Sequence, residues 1–471
     1  ARWRGAVARG GDSVAGAGSG RGPLPGGGSR RQFHRPLSTH GPVPGDVADI
    51  TIFRSKKDFS EARLEKLITP SPLRTKPACE HFGTCGGCQW QHMIYEKQLE
   101  YKQTSVLETL RRLGKVEPQE VLPIAGCKNI YQYRNKLEFT FSNKAWIPRE
   151  QLHDEALRNQ PALGFHIPGL FDKVLDVKQC YLQFDKGNEI RLSVREFAIK
   201  NKLEFFDLRQ QTGFMRNLIL RNTTLGEIMV VVSVTEKRMD VIDAMMQMLI
   251  NKFPEITSLN YVVNNKRNDT LYDLDIVCYH GRDYLLEQLG DLKFRISPKS
   301  FFQTNTPQAK TLYSIAKNFA DLQPHELVYD LYTGTGSIAL YVAKHCKQVV
   351  GIESVADAID DANKNAALNN ISNCKFFVGD MKDALSDEFV NANGKPDVVI
   401  TDPPRVGMHE DVVKQLLHMQ PQRIVYVSCN PATQARDLNL LSEKYAVVKS
   451  QSVDMFPHTA HLENVVLLKL K

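Results

Sequence analysis

From Val43 to Pro72, apolar and polar residues alternate around a charged turn. This predicts a β-hairpin, because successive strand side chains point to opposite faces. Two strands alone are marginal in water, so the hairpin either belongs to a small barrel with further strands or packs on the next stretch of chain. Tyr95 to Leu113 switches to helical spacing through Leu99, Val106, Leu107 and Leu110. Between Tyr131 and about Gly290, short β-type runs (LEFTFS, NLILR, IMVVVSV) mix with amphipathic stretches such as DVIDAMMQMLINKF, which predicts an α+β region of undefined topology. The last 180 residues are more regular. Strand-like LVYDL, QVVGIE, KFFVGD, PDVVITDPP and RIVYVSC alternate with helical patterns, two of them starting at His409 and Pro431, before AVVKS and NVVLLKL close the chain. Such alternation predicts parallel βαβ units in an open doubly wound sheet, whose ligand sits beyond the carboxyl ends of the strands. The residues at those ends are Asp330 with Tyr332, Glu353, Asp380, Asp402 and Cys429.

The domains expected are a Gly/Arg-rich tail (1–40), a small β module (41–75), a central α+β domain (76–290) and an α/β domain (291–471). With 42% hydrophobic residues in 471, the chain can bury several cores, which excludes a wholly disordered protein and a disulfide scaffold. No apolar run approaches a membrane span, so a water-soluble cytoplasmic protein is expected, monomeric and without membrane association. The net charge of +7 suggests a polyanionic partner, but the first 40 residues hold seven Arg, no Lys and one acid, Asp12. What remains is nearly neutral, so bulk charge argues little for nucleic acid. Ten of the 30 glycines also fall in that tail, the composition of a disordered segment or, being Arg-rich and acid-poor, of a targeting segment. Residues 101–150 are locally basic, with nine cationic and five acidic side chains. There NIYQYRNKLEF interleaves Tyr131, Tyr133, Arg134 and Lys136, as an RNA-contacting surface or a solvated strand face would.

Thr333–Ser337 (TGTGS) joins the first of the regular strands to a helix, and Gly334 and Gly336 let a ligand approach the backbone at the helix amino terminus. Glu353 and Asp380 end the next two strands, where carboxylates can hold ribose hydroxyls, so an adenosine-containing cofactor is expected. TDPPR makes a stiff loop suited to holding a planar base or a methyl donor, and Arg405 can pair with Asp402 or a phosphate. Cys429 lies immediately before the helix started by Pro431, which should favour its thiolate. If the final strand runs antiparallel to the rest, Glu463 at its start shares an edge with Cys429, giving a nucleophile and a general base. Cys79, Cys85 and Cys88 form C-x5-C-x2-C in a glycine-rich loop, a pattern for zinc or an iron–sulfur cluster rather than disulfides. A fourth ligand is needed: Cys180 is the leading candidate, ahead of Cys127 and Cys278.

CEHFGTCGGCQWQ, YRNKLEF, SPKSFFQTN, DLYTGTGSIAL, TDPPR, VSCNPATQARDL and DMFPHTAHLENVVLL, in this order over residues 43–471, together resemble the RNA uracil-C5 methyltransferase family, specifically its 23S ribosomal RNA branch. The resemblance implies a C-terminal Rossmann-like S-adenosylmethionine methyltransferase domain, a central α+β domain, and a hairpin that is the latter part of an OB-like TRAM module. It also implies S-adenosylmethionine held by Gln303, Tyr332, Glu353, Asp380 and Asp402 with Ser337 nearby, and a 4Fe-4S cluster on Cys79, Cys85, Cys88 and Cys180. Cys429 would attack carbon 6 of a uracil in 23S ribosomal RNA, or alternatively in tRNA, and Glu463 would remove the carbon 5 proton. Two other readings are an amino methyltransferase that uses TDPPR, which gives Cys429 and Glu463 no work, and a non-catalytic RNA-binding assembly factor.

Overall fold

The computed structural model describes residues 41–55, 60–148, 151–158 and 160–471, so the expected tail lies outside the described residues. The chain divides into two compact units, one running to Gln98 and including His458–Ala460, the other comprising Leu99–Pro457 and His461–Lys471.

In the first unit the alternating segment forms strands β1 (Val47–Ser55) and β2 (Ser60–Thr69), paired antiparallel from Val47↔Thr69 to Ser55↔Ser60. Buried Asp46 clamps the base of the hairpin. Its carboxylate accepts from the Ser71 amide at 2.8 Å and from Arg74 at 2.8 and 2.6 Å. The Cys-rich loop belongs to this unit and turns tightly, with Phe82 N–H bonded to the Cys79 carbonyl and Cys85 N–H to the His81 carbonyl.

In the second unit, helix α1 (Tyr95–Arg112), which begins in the first, places Val106 and Leu110 in a core and leads to the short strand β3 (Glu120–Val121). The central sheet is built from β4 (Lys136–Ser142), β5 (Ala162–Ile167), β6 (Leu170–Asp176), β7 (Met215–Asn222), β8 (Ile228–Val234), β9 (Ile256–Val263) and β10 (Ile276–Gly281). Its order is β10-β9-β8-β7-β4-β5-β6, antiparallel except for the β8–β9 pair. After the short α2 (Glu155–Arg158), helices α3 (Asp185–Lys200) and α4 (Met239–Lys252) cover one face, where Ile190, Val194, Met245 and Leu249 pack on Leu137, Phe139, Leu218 and Leu220. Ile219, Met229 and Val231 lie in a smaller core on the other side of the sheet.

A hairpin of β11 (Leu285–Leu289) and β12 (Leu292–Ile296) and helix α5 (Thr306–Ala320) lead into the third sheet. Five parallel strands, β13 (Leu327–Leu331), β14 (Gln348–Glu353), β15 (Cys374–Val378), β16 (Val398–Thr401) and β17 (Arg423–Ser428), are joined by α6 (Ser337–Val342), α7 (Ala356–Leu368), α8 (Met381–Ala384), α9 (Asp387–Asn393) and α10 (Glu410–Met419). Helix α11 (Pro431–Leu441) precedes β18 (Tyr445–Val453) and β19 (Glu463–Leu470). The order is β15-β14-β13-β16-β17-β19-β18-β3, the doubly wound fold expected from the alternation. Val328, Val349 and Val425 face a core with α5 and α6, while Tyr329, Val350 and Tyr426 face one with α10, α11 and α1. β19 runs antiparallel to β17 and β18, so its first residue lies at the carboxyl edge of the parallel strands. Among the described residues no helix is long and apolar enough to cross a membrane.

Candidate active site

The β13–α6 loop is held in a conformation that a chain of L-residues rarely adopts. Tyr332, Gly334 and Gly336 have φ of 62°, 55° and 78°. Buried Asp330 braces this loop from beneath, one carboxylate oxygen accepting from the Thr333 hydroxyl at 2.5 Å and the Ala339 amide at 3.0 Å. The other oxygen is buried without a partner, and burial pushes the group up to about 7. A Cβ on Gly334 would meet nothing within 4 Å, so the loop leaves open space over its backbone. Glu353 closes the loop's far side by accepting from Gly334 N–H at 3.2 Å and from the amides of Ser354 and Val355 at 2.8 and 3.1 Å. Ser337, at the start of α6, shares a 3.1 Å hydrogen bond with the buried Tyr313 hydroxyl. Asp380 caps α8 through the Lys382 amide at 3.2 Å and keeps its carboxylate largely exposed. Gln303 is buried between β12 and α5, its carbonyl taking a 3.1 Å bond from Asn135.

At the other half of the edge, the β17–β19 register ends at Ser428↔Asn464. One step further puts Cys429 opposite Glu463, as the conditional reading of the final strand required. Glu463 is buried, with one oxygen unpartnered. Burial first, and then the charge of Asp402, push its carboxyl well above the usual range, with Arg405 opposing. Asp402 follows β16, and its amide bonds to the Leu331 carbonyl at 3.4 Å. Burial and the neighbouring Asp330 push Asp402 up to about 7.

Cys429 departs from expectation. Burial, then Glu463 and Asp402, push its thiol up to about 11, and the charge and hydrogen bond of Arg405 offset only part of this. The helix start does not favour the thiolate here, because loss of solvent and two adjacent acids outweigh it. Arg405, read from sequence only as a partner for Asp402 or a phosphate, is thus the cation that tends the sulfur. The TDPPR loop holds it in place: its carbonyl accepts from Asn430 Nδ2 at 2.9 Å, and Arg436 bonds the Val406 and Met408 carbonyls at 3.1 and 2.9 Å.

Tyr133 is buried and its hydroxyl donates to the Pro457 carbonyl at 3.0 Å, while Tyr131 packs edge-on against Tyr181. Of the NIYQYRNKLEF row, Tyr133 is therefore turned into the protein, while Tyr131, Arg134 and Lys136 stay half-buried. Cys79, Cys85 and Cys88 lie in the first unit, and Cys180 lies before α3 in the second, its amide bonded to Asn188 Oδ1 at 2.9 Å. Among the described residues no group of three or more His, Cys, Asp or Glu comes together as metal ligands. None of the nine cysteines is in a disulfide. Cys127 is buried beside Asn305 and Cys278 is exposed on β10.

Residues 222–471 match the family model described as tRNA (uracil-5-)-methyltransferase. The chain belongs to this family. As a tRNA (uracil-5-)-methyltransferase family member, it is an S-adenosylmethionine-dependent RNA methyltransferase. It is 53% identical over 433 residues to a Bacteroides thetaiotaomicron protein named as an uncharacterized RNA methyltransferase, covering 91% of this chain and 95% of that one. A Bacillus cereus protein of the same description is 36% identical, with 92% of each chain covered. A crystal structure of the Pyrococcus abyssi tRNA (uracil-54, C5)-methyltransferase in complex with S-adenosyl-L-homocysteine is similar with a TM-score of 0.69 and 28% identity, covering 93% of this chain and 100% of that one.

Proposed function

We propose that this family member methylates carbon 5 of a uridine in 23S ribosomal RNA, with Cys429 as nucleophile and Glu463 as base. The observation that carries the chemistry is the β17–β19 register, which sets a thiol and a buried carboxyl opposite each other. Carbon 5 of uracil is a weak nucleophile until carbon 6 is attacked, so the sulfur forms a bond to carbon 6 and the ring electrons move out to the carbonyl oxygen as an enolate. Arg405 opposes the rise of the thiol and favours the thiolate, whose proton leaves to solvent before the attack. S-adenosylmethionine, when bound, supplies the methyl group that carbon 5 accepts. Glu463 then takes the carbon 5 proton, and the returning electrons expel Cys429.

The open space over Gly334 suits a cofactor lying on the backbone, with Gln303, Tyr332, Ser337, Glu353, Asp380 and Asp402 as the side chains that would hold it. With RNA containing 5-fluorouridine, wild-type protein should form a covalent complex stable in denaturing gels. Cys429→Ala should form none, and Glu463→Gln acting on ordinary RNA should accumulate the adduct. A Cys429→Ala protein that still methylates would defeat this reading.

The ribosomal assignment rests on the Cys-rich loop, whose Cys79, Cys85 and Cys88 are the thiols that the resemblance gives to a 4Fe-4S cluster of structural role. Anaerobically prepared protein should be brown with bound iron and sulfide; colourless protein carrying one zinc would contradict the cluster. A tRNA substrate is the second reading, favoured by the description of the Pyrococcus abyssi structure. Mapping 5-methyluridine in ribosomal and transfer RNA from cells with and without the gene separates the two.

A further inference from the structure

Strands β4 and β7 carry a charge arrangement that the reaction above does not use. Lys136 and Arg221 are direct cross-strand partners, and like charges in that position repel. Their neighbours Leu137 and Leu220 face the core beneath α3 and α4, so both cations point to the opposite side of the sheet. Arg221 is 4% exposed. Its guanidinium bonds two carbonyls, Ser300 at 2.6 Å and Ser297 at 3.4 Å, while Nε is buried without a partner. Among the described residues no carboxylate pairs with it, and the half-buried Lys136 ammonium beside it makes neither a hydrogen bond nor an ion pair. Glu138, two residues along the same face, is the acid that acts on Lys136, and it does so without contact. Burying a cation without its counter-charge costs several kcal/mol, and here two are set side by side. The arrangement is that of a site completed by an anion from outside.

Its position says which anion. Asn135, adjacent to Lys136, donates through its side chain to the Gln303 carbonyl at 3.1 Å and to Thr306 at 2.9 Å, and through its amide to the Thr304 carbonyl at 2.8 Å. Arg221 grips the Ser297–Ser300 turn at the other end of the same segment. The two cations are therefore built onto the segment that carries Gln303, which the proposed reaction assigns to the cofactor site. A nucleotide whose base enters the candidate active site brings its backbone phosphates with it. We propose that Lys136 and Arg221 form a subsite for a backbone phosphodiester of the RNA next to the target uridine, an inference that rests on the proposed reaction. The phosphate oxygens would accept from the half-buried Lys136 ammonium, while the Arg221 guanidinium beneath it adds its charge without touching the RNA.

The test is the salt dependence of binding, because each phosphate contact made steepens the fall of affinity with salt by a slope of about 0.7 to 0.9. Affinity for a fluorescent uridine-containing stem-loop is measured at several KCl concentrations. Lys136→Gln is the main variant, since Arg221 is buried and its loss could unfold the sheet. Raising salt fourfold should cost wild type about threefold more affinity than it costs Lys136→Gln, and Lys136→Arg should restore the wild-type slope. Wild-type binding with an unchanged slope in Lys136→Gln overturns the subsite and leaves the reaction standing. A wild-type protein that binds no uridine RNA removes both.

Discussion

Cys429 sits under opposed fields, with Arg405 drawing its proton off and Asp402 and Glu463 holding it on. Alkylation by iodoacetamide, followed at this residue by mass spectrometry, reads the balance, because only the thiolate reacts. Arg405→Gln should slow modification at pH 8 severalfold, and Asp402→Asn should speed it; shifts of equal sign would mean that burial alone controls the thiol. Asp330 gives a different pH signal. Its folded value of about 7 lies above the ordinary 3.8, so the fold holds a proton that the unfolded chain releases. The stabilisation from the protonated form is full below the unfolded value and is lost as pH rises to about 7. Thermal melts at pH 5 and pH 8 should differ less in Asp330→Asn than in wild type. These shifts were not legible in the sequence, where Asp330, Asp402 and Cys429 were visible as strand-end residues but their loss of solvent was not.

Among the elements, the β13–α6 loop tests whether backbone shape or side-chain contact binds the cofactor. A Cβ on Gly336 would come to 3.0 Å from Phe376 and 3.1 Å from Ala362, whereas one on Gly334 would project into open space. Gly336→Ala should cost about 1–3 kcal/mol of stability from strain and crowding. Gly334→Ala should cost less stability yet weaken S-adenosylhomocysteine binding by calorimetry at least as much. If both lose only stability, the loop is structural and the cofactor lies elsewhere. The regular strands were legible because each apolar run stops at a polar residue, most of them followed by a Gly or Pro turn, as at Asp330–Gly334 and Asp402–Pro404. β8 was readable only as a strand, because it is buried on both faces and no alternation survives to show that it pairs parallel with β9. β3, two residues paired with β18, is too short to carry a pattern at all.

Over the whole second unit, contacts distant in sequence decide what local pattern leaves open. Lys102 reads as a polar helix position, yet it and Asp454 are fully buried and bonded at 2.6 Å across 352 residues, with the Phe456 carbonyl also accepting from Lys102. Removing one partner strands the other charge: Asp454→Ala should lose about 3–5 kcal/mol in chemical denaturation, and Lys102→Met with Asp454→Leu should recover most of it. A small effect of the single variant would place water around the pair. The Cys429–Glu463 pairing belongs to the same class, since the apolar run of β19 is the same in either direction and only its neighbours fix it as antiparallel. That pairing has a consequence for the RNA. The thiol and the carboxyl proposed to react are anchored at the ends of hydrogen-bonded neighbours in one sheet, so neither can travel far to meet a stacked base. The work of reaching the transition state therefore falls on the nucleic acid, which must unstack and swing its uridine out of line. Turnover should then track how cheaply a given site opens, with looped or mismatched uridines outpacing the same sequence held in a duplex.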